Sequence, residues 1–365
     1  MERMGFVRIR EAGLSLVEVM VALVVGLITV LVVMQVFTAF EGDKRTTMGV
    51  SDAQTSGSIA LYTIRRQVLV AGYGLPVFTS QNTVLQCAQD FAVGGANLFP
   101  VEIVDGGNGS DTVRVRYGSS PLAGIHTTIT GVAGNVVGVD NNQACANGDS
   151  ALLVTAAACA TTSVTAIPAS PDTTHITLGA IPAGIIPNKT VLACLGQWTQ
   201  FAYFVNNDRL EVATTVNGVT TTAPVMADIV SLQAQYGISA TAGENVIRQW
   251  VDATGVWANL NDDPADVARR NRIKAIRVAV VARSGLRERE DVTATCSSQI
   301  NADPTGLCAW EGVPVGGTIT TASPAPAINL NPANDPNSDW QRYRYRVYET
   351  IIPLRNIVWN RSSLG

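Results

Sequence analysis

A chain of 365 residues with 47% hydrophobic side chains is long enough to bury a sizeable core, which excludes an intrinsically disordered protein. The formal net charge of -4 and the lack of any long Lys/Arg block exclude a phosphate-tracking surface, so no nucleic-acid partner is expected. Only 15% of residues are charged while Gly, Thr, Ala and Val abound, the usage of a strand-rich exported body rather than a helical cytosolic enzyme.

From Leu14 to Phe40 the only charged residue is Glu18. As a helix this run would extend roughly 40 Å, enough to cross a hydrocarbon core of about 30 Å. Arg3, Arg8 and Arg10 precede it against Glu2 and Glu11, whereas Glu41, Asp43, Lys44 and Arg45 behind it balance. The positive-inside rule therefore puts the N-terminus in the cytoplasm and the body outside. A cleaved secretory signal has a shorter apolar core followed by small residues, and no such pattern follows this span. A lone carboxylate inside a membrane costs about 2.5–3.5 kcal/mol at mid-bilayer and less near an interface, so Glu18 needs a partner.

The run Gly13-Leu14-Ser15-Leu16-Val17-Glu18 resembles the class III signal of type IV prepilins. That resemblance implies cleavage after Gly13 by a prepilin peptidase and N-methylation of the new first residue, Leu14. It also implies that Glu18, then the fifth mature residue, pairs with the N-terminal amine of a neighbouring subunit. Two features depart from the pattern. Leu14 stands where phenylalanine is usual, and no proline interrupts the span, which leaves Gly26 and Gly42 as the expected weak points of the helix.

Beyond the span, Ala53, Ala60, Leu61, Ile64, Val68 and Ala71 recur at helical spacing as one apolar stripe, and Gly72-Tyr73-Gly74-Leu75-Pro76 supplies a stop. The chain thus divides into a leader at 1–13, a transmembrane and polymerisation helix at 14–40, its amphipathic continuation at 41–75, and a β-rich head at 76–365. The amphipathic part is expected to pack on a sheet. Within the head, Val113–Tyr117 alternates, and Trp198–Val205 with Arg209–Ala213 reads as a hairpin across Asn206-Asn207-Asp208. Ile229–Tyr236 and Ile273–Ala282 are further strands, the latter fed by a short helix at Ala265–Asn271. After a Pro/Gly-rich loop at 311–339, a last strand at Tyr343–Thr350 puts Tyr343, Tyr345 and Val347 on one face and arginines on the other.

Six cysteines follow the span, none in C-x-x-C spacing, which points to disulfides in an oxidising compartment. Cys296 and Cys308 enclose a short polar stretch and form the preferred bridge; Cys87, Cys145, Cys159 and Cys194 can pair in three ways. No catalytic set emerges. His126 and His175 have no metal-ligand neighbours at a suitable offset, Asp105–Asp111 reads as a turn rather than a calcium loop, and Ser284 lies outside any nucleophile elbow. Trp340, Tyr343, Tyr345, Tyr348 and Trp359 with interleaved arginines could be pictured as a glycan or nucleic-acid platform, but strand alternation accounts for them as core and edge. No metal or other cofactor is expected.

The ending Tyr343–Trp359, with Pro353-Leu354-Arg355-Asn356, is similar to that of PilW-type minor pilins, and Asp228–Tyr236 and Ile273–Val278 are similar to the same group. The resemblance implies an α+β type IV pilin fold, a long N-terminal helix packed on a large antiparallel head, and a non-enzymatic part in pilus assembly or initiation. The partners it implies are other minor pilins, the major pilin, the prepilin peptidase, the inner-membrane assembly platform and a tip adhesin. The chain would sit in the bacterial inner membrane, head in the periplasm, before passing to the pilus. A type II secretion pseudopilin and a membrane-anchored periplasmic binding protein or enzyme are the alternatives; neighbouring genes separate the first, an uncut leader the second.

Overall fold

The computed structural model describes residues 15–75, 92–93, 96–122, 124–154, 159–258, 260, 269–296, 306–310, 328–331, 335 and 337–356. The chain forms two compact units that divide between Ser51 and Asp52. Helix α1, Leu16–Leu69, is unbroken at Gly26 and Gly42, and a Cβ added at either glycine would meet nothing within 4 Å. In the first unit the apolar side chains of α1 are exposed, among them Leu16, Leu23, Leu27 and Phe40.

In the second unit α1 turns its apolar stripe inward: Ala53, Ala60, Ile64, Val68 and Ala71 are at most 2% exposed, and Leu61 packs against the same cluster. The expected packing of this part on a sheet is what the structure shows. The helix ends where the chain enters the left-handed region at Gly72 (φ 76) and Gly74 (φ 91), which glycine adopts without a steric penalty. Beyond α1 the backbone joins a strand: Gly72 N donates to Arg116 O at 2.8 Å, and Gly118 N to Tyr73 O at 2.7 Å.

The strands follow in chain order, beginning with a two-residue ladder of β1 (Ala92–Val93) and β2 (Ala96–Asn97). They continue as β3 (Val101–Val104), β4 (Thr112–Gly118), β5 (His126–Ala133), β6 (Val136–Val139), β7 (Ser150–Val154), β8 (Cys159–Ala166), β9 (His175–Leu178) and β10 (Val191–Gly196). Then come β11 (Trp198–Asn206), β12 (Arg209–Val216), β13 (Val219–Ala227), β14 (Ile229–Ile238), β15 (Gln249–Val251), β16 (Ile273–Arg287) and β17 (Tyr343–Pro353). One sheet has the order β13-β12-β11-β4-β3 and another β15-β14-β16-β17, while β10-β5-β6-β9-β8-β7 close into a barrel. These ladders are antiparallel, as the fold class from the sequence requires.

The barrel lies in sequence between β4 and β11, which are themselves direct neighbours with Gly118 opposite Trp198. It has its own interior of Ile129, Val137, Leu153, Ile176, Leu178 and Leu192. A smaller cluster of Leu75, Leu98, Leu152, Leu195 and Trp198 joins it to the rest of the head. The sequence reading made the head β-rich but assigned no individual strand between Tyr117 and Trp198 and no closed barrel.

The main core lies between α1 and the two sheets, with Val113 and Val115 from β4, Leu232 from β14, and Ile276, Val278 and Val280 from β16. The opposite face of β16 is covered as well, where Ala279 and Val281 meet Leu307, Trp310 and Ile328. A strand buried on both faces reads as a near-continuous apolar run, and Ile273–Ala282 is one apart from Lys274 and Arg277, which are buried with it. It extends beyond the expected end to Arg287, because β17 continues to pair with it after a register shift. Residues 265–268 of the expected short helix, most of the 311–339 loop, and Trp359 lie outside the described residues.

The turn at Asp105–Asp111 stitches the two sheets together. Asp111 N donates to Leu232 O at 2.7 Å, its carboxylate accepts from Ala234 N at 2.8 Å and Gly106 N at 2.9 Å, and Gln233 Nε2 donates to Gly109 O at 2.8 Å. A second stitch is buried: Ile103 N donates to the Tyr236 hydroxyl at 2.6 Å. Both satisfy backbone groups that two abutting sheets would otherwise leave unpaired.

Candidate assembly stem and the head that carries it

The stem begins with a reciprocal cap. Glu18 N donates to Ser15 Oγ at 3.2 Å, and Ser15 N donates to Glu18 Oε2 at 3.3 Å. Ser15-x-x-Glu18 is therefore a capping box that satisfies two of the backbone donors a helix start leaves open. The Ser-x-x-Glu spacing is a sequence signal for a helix start, here merged into the apolar run that follows it. Along the stem, Thr29 Oγ1 donates to Val25 O at 2.7 Å, so the hydroxyl inside the apolar run is satisfied within the helix. The stretch is long and apolar enough to cross a membrane by length and composition. Gly13 and Leu14 lie outside the described residues.

In the head, Cys145 and Cys194 are bridged with Cα atoms 5.2 Å apart, tying the loop before β7 to β10 of the barrel. Cys296 and Cys308 are bridged at 4.9 Å and close the segment that leads to Trp310. Cys87 lies outside the described residues, and Cys159 is described as a backbone position in β8.

Trp310 takes a left-handed backbone (φ 51), and its ring lies 4.4 Å from the guanidinium of Arg277 on β16. Trp250 on β15 lies 5.0 Å from the same guanidinium. Arg277 Nε donates to Gln235 Oε1 at 2.7 Å, and Gln235 Nε2 donates to Asp252 Oδ1 at 2.6 Å. Burial pushes the Arg277 guanidinium down to about 10, against the pull of Asp252 and Glu349. Glu349 is anchored in turn by the backbone N–H of Trp310 at 2.8 Å. A second buried arginine, Arg116, pairs with Glu102 and donates to Gln200 at 2.7 Å and Phe99 O at 2.9 Å. Burial also lowers its pKa. Sequence reasoning missed both, because their partners are distant in the chain.

Among the described residues no group of three His, Cys, Asp or Glu side chains could hold a metal ion. His175 Nδ1 instead lies 2.8 Å from Asp172 Oδ2 on the surface. The head carries paired charges and disulfide-linked loops, and the start of α1 is capped.

Against known proteins, no curated relative matches the chain. Among solved structures it is similar to a type IV-like pilin from Thermus thermophilus at 11% identity and a TM-score of 0.34, covering 84% of this chain and 96% of that one. Residues 203–356, from β11 through β17 to Asn356, match the family described as Type IV Pilus-assembly protein W, the group whose likeness was read from the chain's C-terminal residues.

Proposed function

We propose that this chain is a minor type IV pilin that takes part in starting or capping a pilus and acts by binding rather than turnover. The observation that carries the reading is the family match over residues 203–356 in a chain whose helix α1 starts as an exposed apolar run with one carboxylate in its first turn. On this reading a peptidase at the cytoplasmic face cuts after Gly13 and Leu14 is methylated. The stem then leaves the lipid for a bundle of like helices, in which Glu18 gives up its bond to Ser15 N for the amine of a neighbouring subunit. An ionised carboxylate among apolar helices is stable only when paired, so this exchange sets the register of the subunits. The head, held on the periplasmic side before assembly, meets other minor pilins or a tip adhesin, and the assembly platform inserts the subunit.

Two measurements test this. The intact mass of the mature protein should show loss of residues 1–13 plus one methyl group, and an uncut N-terminus would return the chain to the anchored-enzyme class. Glu18→Ala should be processed at the normal level yet be absent from sheared pili and from the initiation complex. Normal piliation by that variant sinks the assembly role of Glu18.

A further inference from the structure

A cleft of about 400 Å³ opens on the head where the β11–β12 turn, the far end of β16, the start of β17 and the segment at 338–340 meet. That size falls within the range of small-molecule sites. Asn207 and Asp208 form its lip, both in the left-handed region (φ 49 and 56) that a two-residue hairpin turn demands. Arg283 of β16 forms the back wall, its Nη2 2.8 Å from Asp208 Oδ2 and its guanidinium 4.8 Å from the Tyr343 ring. Tyr345 and Trp340 complete an aromatic side, fixed by a 2.9 Å bond from the Tyr345 hydroxyl to the Trp340 carbonyl.

The charges here cancel. Arg283 is matched by Asp208, and Asp339 at the rim is paired with Arg287. A free phosphate or an acidic peptide would find no surplus of positive charge, and a cation no surplus of negative charge. What remains is a concave surface with aromatic rings on one side and, on the other, a half-exposed carboxylate, a guanidinium and a primary amide, which donate and accept in several directions. Sugar rings present the complementary pair of surfaces, a C–H face for aromatic rings and a rim of hydroxyls for carboxylate, guanidinium and amide. The anchored side chains lower the ordering cost of such a ligand.

We propose that this cleft binds a neutral saccharide, with Trp340 and Tyr345 supplying the stacking wall and Asp208 and Arg283 the hydroxyl contacts. The role is independent of the stem and stands or falls apart from pilus assembly.

The test uses the full chain in amine-oxide micelles, which bring no sugar headgroup, with three neutral probes: tetra-N-acetylchitotetraose, cellotetraose and lacto-N-tetraose. A sulfated heparin tetrasaccharide is the charged control. Saturation-transfer NMR and calorimetry should show at least one neutral probe bound, with Trp340→Ala and Asp208→Asn each weakening it about tenfold or more. Arg344→Ala, at an exposed ion pair with Glu288 outside the cleft, should leave binding unchanged. Asp208→Asn keeps a residue that tolerates the left-handed turn, so a folded variant is available even if Trp340→Ala unfolds. The proposal is overturned if all three neutral probes fail to bind at about 10 mM, if the sulfated probe binds most tightly, or if Asp208→Asn binds like the parent.

Discussion

Arg277 is the residue on which the outer layer of the head depends. Its guanidinium lies between Trp250 and Trp310, on a strand that is itself buried on both faces, and through Gln235 it reaches Asp252. Truncating it removes the group between two indoles, takes away the donor to Gln235 Oε1, and leaves Asp252 and Glu349 without its positive charge beside them. Arg277→Ala is therefore expected to cost about 3–5 kcal/mol in urea unfolding, the range for breaking one side of a buried charge network. Arg277→Lys should recover less than half of the loss, since a compact ammonium cannot lie flat between two rings while donating from the side. A lysine variant as stable as the parent would show that charge alone, rather than the planar fork, is what the site needs. Glu18 differs in kind: its bond to Ser15 is local to the helix start, so its loss should barely alter the stability of the isolated chain.

At the scale of elements, the contact between α1 and β17 turns on one glycine. A Cβ at Gly57 would stand 2.2 Å from the Tyr348 ring, a distance no real pair tolerates, so the helix can meet the strand only where it has no side chain. Gly57→Leu is expected to lower stability by about 1–3 kcal/mol through overpacking, despite leucine's better helix propensity. Gly57→Leu together with Tyr348→Ala should regain part of this, and calorimetry on the two variants checks it. The stripe that lays α1 on the sheets was legible in the sequence because Ala53, Ala60, Ile64 and Val68 repeat with the helix period. The β11–β12 hairpin was legible because Asn-Asn-Asp tolerates a left-handed turn. The barrel was not: its strands are short and rich in Thr, Ala and Gly, and closure requires β5 to pair with β10 from across the whole segment, which no local period records. Nor was the Trp250–Arg277–Trp310 stack, whose members come from three separate stretches of chain. Trp340 and Tyr345 were read as core and edge; the structure sets Tyr345 beside the β16–β17 cluster and also on the wall of a cleft.

For the molecule as a whole, the seam between the two sheets couples stability to pH. Burial pushes the Asp111 carboxyl up to about 7, more than the N–H groups of Gly106 and Ala234 pull it down, and Asp105 and Asp252 nearby add to the rise. An acid whose folded pKa lies above its unfolded value binds a proton more tightly when folded, so its contribution is complete below about 4 and is lost as pH rises through about 7. Asp111→Asn cannot accept from both backbone donors with its amide nitrogen and should be less stable than the parent at pH 4. The gap should then narrow by on the order of 1–3 kcal/mol by pH 7.5, in urea titrations at several pH values. A gap that widens with pH would show that the carboxylate, not the acid, is the form that holds the seam. The meeting of Gly118 and Trp198 as neighbours on one sheet has a different consequence. A chain that leaves a ladder and rejoins it at the same rung can lengthen, shorten or lose the detour without shifting any pairing on either side. The barrel is in that sense a cassette: an exchange of it leaves the register of β4 and β11 untouched, and the surface the head offers can change while its framework stays the same.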